Sequence, residues 1–158
     1  MDNFDHGATR VLVIDDYRDG AESLGILFES MGCCVRVALS GTEAINVSPR
    51  FCPQLVITDI NMPGLNGYET TRRLKQQVWA GEAVFVAYTA VPEPPLGRLL
   101  PRDFDHYIKK PGAPSDFFAI LRQVRGIDFT PAMPMAIRPV VPIDQLIAAE
   151  PSASWRLF

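Results

Sequence analysis

A carboxylate attacks phosphorus only where nearby groups neutralise the charge that collects on the phosphoryl oxygens. The chain carries a set of residues suited to that task. Asp59 ends the apolar run Leu55-Val56-Ile57-Thr58, and turn formers follow at once in Asn61-Met62-Pro63-Gly64-Leu65-Asn66-Gly67. Asp15-Asp16 ends a second apolar run, Thr89 ends a third, and Lys110 stands at the end of a fourth. Three acids offer hard oxygen ligands for Mg²⁺. The lysine adds a fixed positive charge, and the threonine hydroxyl adds a hydrogen-bond donor. Met singly, these are ordinary residues: a solvated strand end, a turn, a surface cation. Their joint placement at successive strand ends is what points to phosphoryl transfer, with Asp59 as the acceptor.

The elements that must position them follow from hydrophobic periodicity. Residues 10–14, 34–38, 55–58, 84–88 and 106–109 are short, apolar and mostly β-branched or aromatic, which suits strands covered on both faces. Between them, helical spacing returns. Ala21, Leu24, Phe28 and Met31 share one face, with Gly32 as the stop. Ser40 and Glu43 have capping-box spacing and open a short helix through about Val47. Gly67 begins a helix whose inward face uses Tyr68, Thr71, Leu74 and Val78, and Ser115 caps another with Phe117, Ile120, Leu121 and Val124 inward. Five β/α units in this order predict a parallel sheet with helices on both faces. In such a sheet the carboxyl ends of the strands form the edge where ligands bind.

Composition bounds the rest. The 158 residues are 47% hydrophobic and 21% charged, enough apolar surface for one core and no sign of wholesale disorder. A net charge of −3 gives no footprint for a nucleic-acid backbone or an anionic membrane, so neither is expected as a direct partner. No secretory pattern opens the chain and no run reaches membrane-spanning length, which makes a cytoplasmic location the expectation. Cys33, Cys34 and Cys52 are odd in number and lack metal-ligand spacing, and are expected as reduced thiols.

The acid pair Asp15-Asp16, the stretch Asp59 to Gly67, the Thr89-Ala90 pair and Tyr107-Ile108-Lys109-Lys110-Pro111 together resemble the response regulator receiver domain of two-component signalling, of the stand-alone type. The resemblance covers roughly residues 10–125. It implies a flavodoxin-like, doubly wound five-stranded sheet in the order 2-1-3-4-5. It also implies that Asp59 accepts a phosphoryl group from a phosphohistidine on a sensor histidine kinase or phosphotransfer protein. Mg²⁺ is then bound directly by Asp16, through water by Asp15, and by Asp59 and the backbone carbonyl of Asn61. Lys110 aligns with the family's lysine and Lys109 points away, while Thr89 and Tyr107 form a switch pair that changes protein contacts by a population shift.

Departures from the pattern lie between the fourth and fifth strands, where Pro92, Pro94, Pro95 and Pro101 leave room for a short or irregular fourth helix at most. Asp103 stands where the family often has glycine. Residues 1–9 are an N-terminal extension and 126–158 a proline-rich, partly apolar C-terminal extension, too poor in cations for a DNA-binding module and expected to pack on the domain or a partner. The expected role is a regulatory phosphoacceptor rather than an enzyme, with an unidentified downstream protein, and a homodimer among the states open to it. Two other readings fit parts of the pattern. One is a phosphorylation-independent adaptor. The other is a phosphatase of the haloacid dehalogenase type, although that family carries a second acid two residues after its nucleophile, where this chain has Asn61.

Overall fold

The computed structural model describes residues 7–90 and 103–126. The expectations for a short fourth helix and for the C-terminal extension concern residues outside these. Five strands, β1 (Arg10–Ile14), β2 (Cys34–Ala38), β3 (Leu55–Thr58), β4 (Val84–Thr89) and β5 (His106–Lys109), form one parallel sheet in the order β2-β1-β3-β4-β5. Central β1 is sealed on both faces, with Val11, Leu12, Val13 and Ile14 at most 1% exposed. That is why its sequence is continuously apolar rather than alternating.

Four α-helices cover the sheet among the described residues: α1 (Arg18–Ser30), α2 (Gly41–Phe51), α3 (Gly67–Lys75) and α4 (Pro114–Val124). Strand alternation divides the core between the two faces. Leu12, Ile14, Val56, Phe85 and Ala87 pack with Ala44 and Phe51 of α2 and Leu74 of α3. Val11, Val13, Leu55, Ile57, Val86 and Ile108 pack with Phe28 of α1 and with Phe117, Ile120 and Leu121 of α4. Burial of these side chains, each contributing roughly 1.5–3 kcal/mol, holds the layers together.

Several helix boundaries depart from the sequence expectation. Helix α2 runs past Val47 to Phe51, with Pro49 inside it. Proline leaves the Ile45 carbonyl without its amide partner, but the Ser48 hydroxyl lies 3.2 Å from that oxygen, and burial of Phe51 rewards the extra turn. Ser40 does accept a hydrogen bond from the Glu43 amide, while the Glu43 carboxylate reaches back to the Leu39 amide at 2.8 Å. Helix α3 ends at Lys75, and a 3-10 helix over Val78–Glu82 follows. The tighter winding turns Val78 fully outward, against its expected inward place. Trp79 takes the apolar contact instead, stacked on Phe85 at 6.3 Å. Ser115 does not cap α4. Pro114 occupies the first turn with Ala113 at the cap position, and the Asp116 carboxylate accepts from the Ala113 amide at 2.9 Å.

One glycine is required by close approach. A side chain at Gly67 would collide with the Asp59 carbonyl and lie 2.7 Å from Ile60 Cα, because α3 starts directly against the loop that leaves β3. The Gly67 amide donates to the Ile60 carbonyl at 2.8 Å and closes that loop. Gly67→Ala is expected to lower unfolding stability by about 1–3 kcal/mol, read as a lower urea midpoint. An unchanged midpoint would show that the loop yields.

Candidate functional site

Main-chain hydrogen bonds continue one residue beyond β1, β3 and β5 and hold the backbone of three candidate residues. The Asp15 amide donates to the Ala38 carbonyl at 3.1 Å, the Asp59 amide to the Ile14 carbonyl at 2.8 Å, and the Lys110 amide to the Thr89 carbonyl at 2.8 Å. The side chains therefore leave the sheet edge from fixed points. Alternation sends Asp15 to the side of Val13, Asp59 to that of Ile57 and Lys110 to that of Ile108, all one face of the sheet.

They meet there. Lys110 Nζ lies 2.5 Å from Asp15 Oδ2 and 3.0 Å from Asp59 Oδ2, so one ammonium bridges two carboxylates from strands far apart in sequence. The remaining oxygens are also engaged: Asp15 Oδ1 accepts from the Tyr17 amide at 2.9 Å and Asp59 Oδ1 from the Asn61 amide at 3.3 Å. Asp15 is nearly closed to solvent, with its side chain 7% exposed, against 13% for Asp59 and 24% for Lys110. Asp16 faces water. Carboxylate oxygens of Asp15, Asp16 and Asp59 lie within 4.8 Å of one another, a donor set of the hard, anionic kind that holds a divalent cation.

Burial is the largest single influence on Lys110 and works to lower its pKa. The hydrogen bonds and opposite charges of Asp15 and Asp59 together outweigh it, and the ammonium holds its proton above the ordinary 10.5.

Thr89 is fully buried at the end of β4, tied to Lys110 through the main chain, and emerges on the opposite sheet face. Tyr107 lies half-buried on that face, beside Ala87 in the β4–β5 register. Lys109 is exposed. Periodicity and motif thus brought Asp15, Asp16, Asp59 and Lys110 into one cluster, with Thr89 adjoining it. No motif marks Tyr88, whose ring lies under Lys110 Nζ at 5.1 Å from the centroid. The signal was available, since Tyr88 pairs with Ile108 and shares the face of Lys110 two residues on. Asp103 also acquires a definite role. Nearly buried, it accepts three hydrogen bonds of 3.0 to 3.2 Å from the Arg72 guanidinium on α3.

Comparison with known proteins bears on the family and the fold. A family model for the response regulator receiver domain matches residues 11–122. The chain is 33% identical over 132 residues to the DNA-binding response regulator MtrA of Mycolicibacterium paratuberculosis, covering 83% of this chain and 58% of that protein, so it spans little more than half the length of that relative. The structure of a CheY-like response regulator receiver domain from Methylobacillus flagellatus matches with a TM-score of 0.68 and 26% identity, over 74% of this chain and 98% of the other. The receiver domain of sensor histidine kinase PA1611 from Pseudomonas aeruginosa PAO1, solved with a magnesium ion coordinated in its active-site cleft, shares the fold at a TM-score of 0.63 and 21% identity, over 75% of this chain and 98% of that one.

Because the folded pKa of Lys110 is raised, its charge stabilises the fold throughout the range below 10.5, and that contribution fades as pH climbs through the folded value. In urea unfolding, the stability difference between wild type and Lys110→Met should stay constant from neutral pH up to that point and shrink above it. A difference that persists unchanged at higher pH would mean that the ion pairs contribute nothing.

Proposed function

The chain belongs to the response regulator receiver domain family of two-component signalling, and from that membership we propose that Asp59 is its phosphoacceptor, fed by a phosphohistidine on a sensor histidine kinase or phosphotransfer protein. The observation that carries the proposal is the single ammonium of Lys110 bridging Asp15 and Asp59 beside a third acid. That is a carboxylate set among the charges phosphoryl transfer needs.

In the transfer, an Asp59 oxygen forms the bond to phosphorus while the phosphorus–nitrogen bond of the donor breaks, and the imidazole leaves with its electron pair. Lys110 pairs with Asp59 beforehand and with a phosphoryl oxygen afterwards. The Thr89 hydroxyl donates to another phosphoryl oxygen, and Tyr107 reorients on the same sheet face, favouring one of two surface arrangements. Asp15, Asp16 and Asp59, with the Asn61 main-chain carbonyl, would hold Mg²⁺. The hard oxygen donors and their net negative charge, only partly offset by Lys110, fit that ion, and when bound it supplies neutralisation of the phosphoryl oxygens.

The receiver fold is regulatory, and the chain acts here as a phosphoacceptor that assists its own modification rather than as a turnover enzyme. Residues 10–125 form the receiver unit, with 1–9 and 126–158 as extensions. Its partners are the phosphodonor and a downstream protein, with a homodimer as one output state. Direct contact with nucleic acid or a membrane surface is not part of this reading, since a net charge of −3 offers neither an electrostatic footprint. A cytoplasmic location belongs to the same proposal.

Incubation with Mg²⁺ and a small phosphodonor is expected to add one phosphoryl group by intact mass to wild type and none to Asp59→Asn. Chelation of the metal should suppress the reaction, and Lys110→Ala should slow it roughly a hundredfold. Labelling that survives Asp59→Asn would remove Asp59 from its role. Sustained hydrolysis of phosphate esters would favour an enzyme instead.

A further inference from the structure

Lys110 carries more of the site than a loop lysine ordinarily could. It sits one residue past β5, in a segment whose next residues turn into α4, and a four-carbon side chain there has many rotamers. The ammonium is nonetheless held on two carboxylates at once. These two acids take two of its three donors, and the face of Tyr88 lies beneath it, 5.1 Å to the ring centroid.

Tyr88 is itself locked. Its ring meets Phe117 of α4 edge to face at 5.2 Å and 84°, and its hydroxyl accepts a hydrogen bond from the Gly112 amide at 3.3 Å. Gly112 has no room for a side chain, since an added Cβ would lie 2.8 Å from Ile108 Cγ2 and 3.0 Å from Phe117 Cε2. The segment from Lys110 to Gly112 is thereby pressed against the ring from both ends. An aliphatic residue at position 88 could fill the same volume, but it would offer the ammonium no negative face.

We propose that Tyr88 is a positioning residue for Lys110, its aromatic face holding the ammonium between Asp15 and Asp59 where a phosphoryl oxygen on Asp59 would meet it. The ring attracts the cation without adding a formal charge that would compete with the acids for it. Because the interaction is electrostatic but neutral, Lys110 remains free to transfer its hydrogen bonds from carboxylate to phosphate while staying over the ring. This rests on the phosphoacceptor role of Asp59, and the test separates the two.

Tyr88→Leu removes the ring and Tyr88→Phe keeps it. With a small phosphodonor and saturating Mg²⁺, Tyr88→Leu should be phosphorylated about tenfold more slowly than wild type. Tyr88→Phe should stay within about threefold of wild type. Mg²⁺ affinity should be unchanged in both, because the acids are untouched. A packing defect alone would not reproduce the second signature, an upfield ring-current shift of the Lys110 ε-methylene protons in wild type and Tyr88→Phe that is lost in Tyr88→Leu. Should Tyr88→Leu fail to fold, the shift in the other two proteins still decides. Equal rates in all three folded proteins, an equal loss in Tyr88→Phe and Tyr88→Leu, or the absence of the shift in wild type would overturn the proposal. If wild type is not phosphorylated at all, the role of Asp59 fails, while the shift still reports whether the ring holds the ammonium.

Discussion

Three carboxylates gathered within 4.8 Å need a counter-charge, and the ammonium of Lys110 supplies it. For Asp15 and Asp59, which are largely shielded from water, repulsion at that separation is roughly 3–4 kcal/mol at an effective dielectric of about 20. That is large beside a total domain stability of about 5–15 kcal/mol. Asp16 is exposed and water screens it. The arrangement therefore stores an electrostatic demand that one half-buried lysine only partly meets, and its oxygen donors are of the kind that holds a divalent cation. Everything else in the structure can be understood as what keeps these four side chains from relaxing apart.

The sheet does most of that. Each of Asp15, Asp59 and Lys110 has its amide bonded to the end of a neighbouring strand, so moving one carboxylate away from another would break a ladder bond as well as an ion pair. This part was legible in the sequence because two simple regularities agree. A continuous apolar run marks a doubly covered strand, and an acid, hydroxyl or lysine where the run stops marks the carboxyl edge. Alternation then assigns faces. Asp15, Asp59, Tyr88 and Lys110 fall on the α1 and α4 side, while Thr89 and Tyr107 fall on the α2 and α3 side. Tyr88 escaped notice because it lies inside a strand, where an aromatic residue is fully accounted for by packing. Only a tertiary contact distinguishes it from any other core tyrosine.

Other features were hidden for equally definite reasons. Val78 keeps helical spacing with Leu74, but spacing says nothing about pitch. The change to 3-10 winding after α3 turned it out to solvent and gave its place to Trp79. Ser115 is a good capping residue by type, yet Pro114 can occupy the first turn without losing a needed donor, and the helix starts two residues earlier than a serine cap would allow. Helix α2 continues past its expected end near Val47 with Pro49 inside it. A serine beside it, able to reach the orphaned carbonyl, lets the helix continue until Phe51 is buried. At the two helix boundaries a neighbouring side chain overrode the local preference, and at Val78 a change of winding did.

Asp103 has the widest consequence of these. Its pairing with Arg72 ties α3 to the residues that lead into β5, and it does not act alone. Phe104 is buried against Tyr68 of α3 at 5.9 Å, and the Asp105 carboxylate accepts from the Phe85 amide of β4 at 2.8 Å. Helix α3 begins at the loop that leaves Asp59, and β5 leads directly into Lys110. The same two elements are thus joined by an ion pair at the reactive edge and by Arg72 and its neighbours toward the other. A lever pinned at both ends cannot respond to a new charge by sliding. On the proposed role of Asp59, a phosphoryl group there would instead be accommodated by side chains that can move without disturbing the sheet. Lys110 already has hydrogen bonds it can exchange, Tyr107 is only half-buried, and Thr89 turns on a single bond. Rigidity in the frame confines the change to those few groups, and it is the same rigidity that keeps three acids close enough to need them.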